Sequence, residues 1–384
     1  MKINLLLQKS LFFISLVLIL TACVSGKKRF EKGEYDKATY QSINRLRSNP
    51  DHKKAKKYLP MAYEHALEYH LNQVARLKSS SAEFRFDDVA AHYENLNSLY
   101  NEIVTCPACI RIVKSPRNFQ TEFDESTLLA SKAHFNAGIR ELGKNNKASG
   151  RAAYRHFLDA KNYTPQYNKI EAYLDSALEM GTVKVLLEDI PIHSRSLALT
   201  NEFFQNQILQ YVRGLNYTFV DFFRVGELET FNLEPDEIIV MQFDDFVVGQ
   251  NYLKERVENL ERDSVKIGVT DADDGEKPIY GTAKAKLTTF EKTLTSSGLL
   301  DFQIVNSQSG STLVQKKFPG TYVWSTSWAS FNGMEEALSK DQLELTKRRE
   351  VYPPSPQDLF VQFTQPIYNQ IVGMISAHYK PLRR

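Results

Sequence analysis

Few residues in this sequence have the types and spacing to do chemistry, and the sharpest pattern is Cys106-Pro107-Ala108-Cys109. A Cys-x-x-Cys pair either closes a small disulfide loop or cycles as a redox couple. A helix N-terminus beneath it would lower the first thiol's pKa. A thioredoxin-like site needs a strand before the motif and a long helix after it. Here Leu96 to Val104 reads as helix, and Lys114-Ser115-Pro116 breaks any helix soon after. A structural staple is therefore expected over a redox centre. Zinc would need two further ligands, and no second cysteine pair supplies them. His65 and His70 are five apart on a helix, on different faces, whereas metal pairs favour spacings of three or four. They are expected at the surface and edge. Asp271-Ala272-Asp273-Asp274-Gly275-Glu276 has glycine fifth rather than sixth and Thr282 where a calcium loop needs glutamate, so it reads as an acidic turn. Tyr322, Trp324, Trp328 and Phe331 form an aromatic cluster that reads as sheet core more than as an interface. The sequence has no Gly-x-Ser-x-Gly elbow, no His-Glu-x-x-His and no phosphate-binding glycine loop. No enzyme, cofactor or metal is expected.

Two kinds of element must position these residues. From about 28 to 180 the chain reads as helix after helix. Val89, Tyr93, Leu96, Tyr100 and Ile103 recur at steps of three and four, one apolar face, and Leu128, Phe135, Ile139 and Leu142 are expected to do the same. Near Gly181 the pattern changes. Val183 to Ile190, Tyr217 to Phe223 and Ile238 to Val248 read as strands, with a helix over Ser196 to Leu215. Ala283, Ala285 and Leu287 alternate with Lys284, Lys286 and Thr288. Ser296-Ser297-Gly298 and Asn306 to Gly310 read as hairpin turns. Ser355, Pro356 and Asp358 mark a helix start, and Phe360, Phe363, Ile367, Ile371 and Met374 give that helix its apolar face, with a kink expected at Pro366. The fold class is α+β: a helical domain, then an antiparallel-rich α+β domain closed by a C-terminal helix.

Within the helical part a pattern recurs. Gly33, Tyr35 and Ala38 precede Pro50, which lies twelve residues after Ala38, and Ala153, Phe157 and Ala160 precede Pro165, twelve after Ala153. This resembles the second helix and closing proline of the tetratricopeptide repeat, in which alanine lets the paired helix approach and phenylalanine fills the groove. Leu174 and Ala177 stand where the next repeat's first helix would pack. Ser42 and Arg45 replace the expected Phe and Ala, and Gly138 lies three residues too far from Ala153, so the repeats are divergent.

The first residues carry the strongest resemblance. Lys2 and Lys9 lead an uncharged run from Leu11 to Leu20, too short to span a bilayer but of signal-peptide length. It ends in Leu20-Thr21-Ala22-Cys23, which resembles the lipobox of bacterial lipoproteins. That resemblance implies cleavage before Cys23, acylation of its sulphur and amine, and stable anchoring once two or more chains are attached. Val24, where inner-membrane lipoproteins often carry Asp, implies an outer membrane. Removing Lys2 and Lys9 from 48 basic residues leaves 46 against 46 acidic, and this neutral balance gives no reason to expect nucleic acid. Lys27-Lys28-Arg29 reads as a solvated tether. The expected layout is a signal peptide over 1–22, a tetratricopeptide-like helical domain over 23–180 and an α+β domain over 181–384. In element order the latter resembles the α/β domain of curli-secretion and penicillin-binding-protein-activator lipoproteins. The implied role is a lipid-anchored envelope scaffold that binds a protein partner. The alternatives are an oligomeric secretion or assembly component and a periplasmic thiol oxidoreductase using Cys106 and Cys109.

Overall fold

A computed structural model describes residues 26–383 except His193, Asp273 and Asp274, so Cys23 and the leader before it lie outside the described residues. Its contacts divide the chain into two compact units, one ending at Gly181 and one running from Thr182 to Arg384. No described helix is long and apolar enough to cross a membrane.

The first unit is helical: α1 (Gly26–Glu31), α2 (Tyr35–Ser48), α3 (Lys53–Lys78), α4 (Arg85–Val104), α5 (Pro107–Ile110), α6 (Gln120–Leu142), α7 (Lys147–Tyr163) and α8 (Ile170–Gly181). The four long helices from α3 to α7 and their neighbours α2 and α8 pack each on the next in chain order. On α4 the buried face is the one the spacing predicts, with Val89, Tyr93, Leu96 and Ile103 inside. On α6 the expected face is half right: Phe135 is buried and Leu142 packs against the same core. Leu128 and Ile139 are exposed, and the buried positions are Ser126, Ala130, Ser131, His134, Phe135, Ala137 and Gly138. Small residues around Phe135 let α7 come close, so the buried face is mostly Ala, Ser and Gly. A Cβ at Gly138 would lie 2.5 Å from the Phe157 ring, and the Ser131 hydroxyl donates to the Ala160 carbonyl at 2.9 Å.

The second unit holds β1 (Val183–Leu187), α9 (Ala198–Gly214), β2 (Val220–Arg224), α10 (Val225–Phe231), β3 (Glu237–Ala272), β4 (Gly275–Asn306), β5 (Thr312–Gly333), α11 (Lys340–Lys347) and α12 (Pro356–Tyr379). The sheet order is β2-β1-β3-β4-β5. β1 pairs parallel with β2 and β3, while β3, β4 and β5 form an antiparallel meander. The unit is thus α+β, with a helix closing the chain. The Ser355 hydroxyl accepts the Asp358 N–H at 3.1 Å and Pro356 occupies the first turn. The apolar face of α12 then buries Phe360, Phe363, Ile367, Ile371 and Ile375 against Phe243, Leu300, Phe302 and Phe318 of the sheet.

β3 is far longer than the expected strand over Ile238 to Val248. Ser296-Ser297-Gly298 is not a turn but the middle of β4, paired on both sides. Gly298 is there for packing, since a Cβ would meet the Phe363 ring at 2.8 Å. The turn at Asn306 to Gly310 is present, with Gly310 at φ +69°. β4 changes which face it buries. Near α12 its buried positions are the even ones, Leu294, Ser296, Leu300, Phe302 and Ile304, whereas farther out they are the odd ones, Ala283, Ala285 and Leu287. These odd positions pack with Ala329, Ala337 and Leu338, and with Leu345 of α11. The four aromatics expected to cluster separate: Tyr322 joins the core under α12, Phe331 joins the α11 cluster, Trp328 stacks on Phe290 at 5.4 Å, and Trp324 lies half-buried opposite Leu294 of β4.

Candidate functional site

Two arrangements in the described residues go beyond packing: an uncovered strand edge in the α+β unit, and two buried histidine pairs in the helical unit.

β1 pairs with β3 only over Glu237 to Ile239, and among the described residues no strand pairs with that side of β3 beyond Ile239. Backbone donors and acceptors on such an edge are free to pair with another chain. Among the described residues β5 also has no strand on its outer side, but Pro319 interrupts it with a missing N–H and its carbonyl accepts from Gln370 of α12 at 3.1 Å. β3 has no proline from Glu237 to Ala272. Bulges at Val247/Gln250 and Arg262/Val265 break its ladder, and between Gln250 and Arg262 the register with β4 is uninterrupted. Along that stretch Tyr252, Leu253 and Val257 are exposed large apolar residues, Leu253 at 60%. Lys254, Glu255 and Arg256 separate Leu253 from Val257, and Glu258, Glu261 and Arg262 follow.

In the helical unit, His70 of α3 and His92 of α4 approach Nδ1 to Nδ1 at 2.8 Å, and His70 Nε2 lies 3.1 Å from Asp36 Oδ2 on α2. His134 of α6 and His156 of α7 repeat this: Nδ1 to Nδ1 at 3.2 Å, and His134 Nε2 at 2.9 Å from Asp87 Oδ2 on α4. An ionised carboxylate only accepts, so Nε2–H of the inner histidine donates to it and Nδ1 keeps its lone pair for the second ring. The inner rings are buried, His70 at 3% and His134 at 7% exposure. This corrects the surface placement expected for His70, whereas His65 is half exposed and stacks on Tyr35 at 5.0 Å. Burial, then the charge of His70, holds the His92 imidazole below its ordinary pKa, and burial, then His134, does the same to His156. Burial, reinforced by Asp87, pushes the Tyr163 phenol up to about 12. Both pairs are 22 residues apart, with the acid on an earlier helix. That repeated interval was the available signal, but local spacing rules do not reach across two helices.

The remaining expected site residues fall as follows. Cys106 and Cys109 are joined in a disulfide, both buried, at the start of α5. They sit in a core with Ile43, Leu46, Leu59, Leu99 and Ile103. Gly33 turns the chain at φ +76° between α1 and α2. Tyr35 packs partly buried, Ala38 is fully buried, and Pro50 sits exposed in the α2–α3 turn. Ala153, Phe157 and Ala160 are fully buried on α7, and Pro165 follows its end. Leu174 and Ala177 of α8 share their core.

The fold defines a two-unit α+β protein. No protein family matches the sequence, and no curated protein does.

Proposed function

We propose that this chain is a lipid-anchored envelope protein that works by contact rather than catalysis, and that its α+β unit joins a second copy of itself along β3. The supporting observation is the bare, proline-free edge from Gln250 to Arg262. Antiparallel pairing of two such edges about a two-fold axis at Val257 sets Arg256 opposite Glu258 twice. It sets Lys254 opposite Leu260, Glu255 opposite Asn259, Leu253 opposite Glu261 and Tyr252 opposite Arg262. No like charges face each other, which is the condition for favourable cross-strand pairs. The helical unit, read as divergent tetratricopeptide-like repeats, supplies the surface for a different protein of the envelope. The lipid on Cys23 keeps both at the outer membrane. The disulfide serves as a staple in this reading, because both sulphurs are buried beyond reach of a substrate thiol.

Sedimentation equilibrium of the mature chain in mild detergent tests the assembly. A dimer at micromolar concentration is expected, and a monomer there overturns it. Prolines at Leu253 and Lys254 sharpen the test, since N–H groups of consecutive strand residues point to opposite sides. One variant loses a bond to β4, and the other keeps its melting temperature and becomes monomeric. Intact mass of native material tests the anchor: a start at Cys23 with added acyl mass supports it, and an unmodified start contradicts it.

A further inference from the structure

The two histidine pairs share an interval and an acid, yet they differ where a ligand would sit. Two nitrogens bound to one tetrahedral zinc ion at about 2.0–2.1 Å lie roughly 3.3 Å apart. The Nδ1 atoms of His134 and His156 stand at 3.2 Å, close to that separation. Those of His70 and His92 stand at 2.8 Å, and both separations are also of hydrogen-bond length, so the pairs are told apart by what lies beside them. A third donor exists at only one pair. Asp159, one turn beyond His156 on α7, places Oδ2 3.7 Å from His134 Nδ1, and the ligand atoms of His134, His156 and Asp159 all lie within 4.8 Å of one another. Among the described residues no comparable set of three surrounds His70 and His92.

The surroundings fix the rings for this purpose. Asp87 accepts from His134 Nε2–H, which leaves the Nδ1 lone pair aimed at His156. A carboxylate on the far nitrogen is the usual orienting partner of a metal-bound histidine. The Phe84 ring stacks on both imidazoles, 4.4 Å from His134 and 5.4 Å from His156, and holds their planes. Asp159 is half exposed and free to swing the last few tenths of an ångström.

We propose that His134, His156 and Asp159 bind a divalent transition ion of zinc's class, with Asp87 orienting His134. Water completes a four-coordinate site open to solvent on the Asp159 side. Binding requires His156 to move its proton from Nδ1 to Nε2, a tautomer exchange through solvent that leaves the ring neutral. A borderline ion suits two imidazoles and one carboxylate, whereas calcium and magnesium prefer an all-oxygen shell.

The test is titration of the untagged mature chain, disulfide intact, with Zn2+ by calorimetry and with Co2+ by visible absorption. One equivalent of Zn2+ is expected to bind, and Co2+ to give the intense bands of a tetrahedral site. His156→Ala and Asp159→Ala, both at half-exposed or exposed positions, should abolish or strongly weaken binding. Asp87→Asn should weaken it by roughly 10–100-fold. His92→Ala should leave it unchanged. The inference falls if the wild type takes up no ion saturably, if binding survives the His156→Ala, Asp159→Ala double variant, or if His92→Ala abolishes it equally. A fold check by circular dichroism on each variant separates lost ligands from lost structure.

Discussion

The β3–β4 hairpin has two halves that are held in different ways. Its inner half, Glu237 to Val248 with Ser297 to Asn306, begins beside β1 and lies beneath α12, with Ile239, Met241, Phe243, Leu300, Phe302 and Ile304 buried. In its outer half, from Gln250 outward, β3 has β4 as its only strand neighbour among the described residues, and a small cluster around Ala283, Ala285 and Leu287 lies on one face. β3 stays paired with β4 through both, across the bulge at Val247/Gln250 that divides them. Strand pairing is therefore common to the halves, and burial is what distinguishes them. The outer half is built beyond what its own core needs, which is why its edge carries the proposed contact.

Perturbing each half should give effects that fall in order. Phe363→Ala removes a fully buried ring that touches Phe243, Phe246 and Phe360, and should cost about 3–5 kcal/mol in urea unfolding of the α+β unit. Leu287→Ala, in the smaller outer cluster, should cost about 2 kcal/mol and raise hydrogen exchange mainly beyond Gln250. An equal loss at both positions would erase the distinction between the halves.

Tyr379→Phe probes the inner half more gently. Its hydroxyl donates to Glu237 Oε2 at 2.7 Å, and loss of that bond should cost about 1.5 kcal/mol. Burial, then Glu237's charge, raises the phenol's pKa well above its ordinary value. The folded chain thus keeps a proton that the unfolded chain loses above about pH 10, so stability is full below that pH and falls as pH rises through it. Tyr379→Phe should flatten this alkaline loss. Leu253→Ser on the outer edge should change stability by under about 0.5 kcal/mol while weakening self-association.

An acid limb should appear in the helical unit. His92 faces His70, Asp36, Asp88 and Arg76, and its pKa is lowered on folding. The unfolded chain then binds more protons below its ordinary value near 6.5, so stability present above that pH declines as pH falls through it. His92→Gln should reduce that decline in a pH series of melts.

What could be read from the residues follows burial. The closing helix and the alternation at Ala283, Ala285 and Leu287 were legible because one face is buried and the other is not. The outer run of β3 was not, because residues exposed on both faces leave no periodic trace. Ser296 to Gly298 imitates a turn by composition, while the real reason for Gly298 is a ring on another element. On α6 the large residues Leu128 and Ile139 pointed outward, since a close helix pair buries Ala, Ser and Gly instead. The disulfide was legible from the Cys-x-x-Cys spacing read together with the helix before it and the break after it. The histidine pairs depend on three helices meeting, and no local rule carries that.

The contact along β3 is tested most directly by a single cysteine at Val257, which faces its own copy across the two-fold axis. Both opposed-residue separations in an antiparallel pair, about 4.5 and 5.5 Å, suit a disulfide. Under mild oxidation Val257→Cys should run at twice the chain mass. Leu253→Cys, about 25 Å from its copy at roughly 3.3 Å per residue, should not. Cross-linking at neither position, or equally at both, would contradict the account.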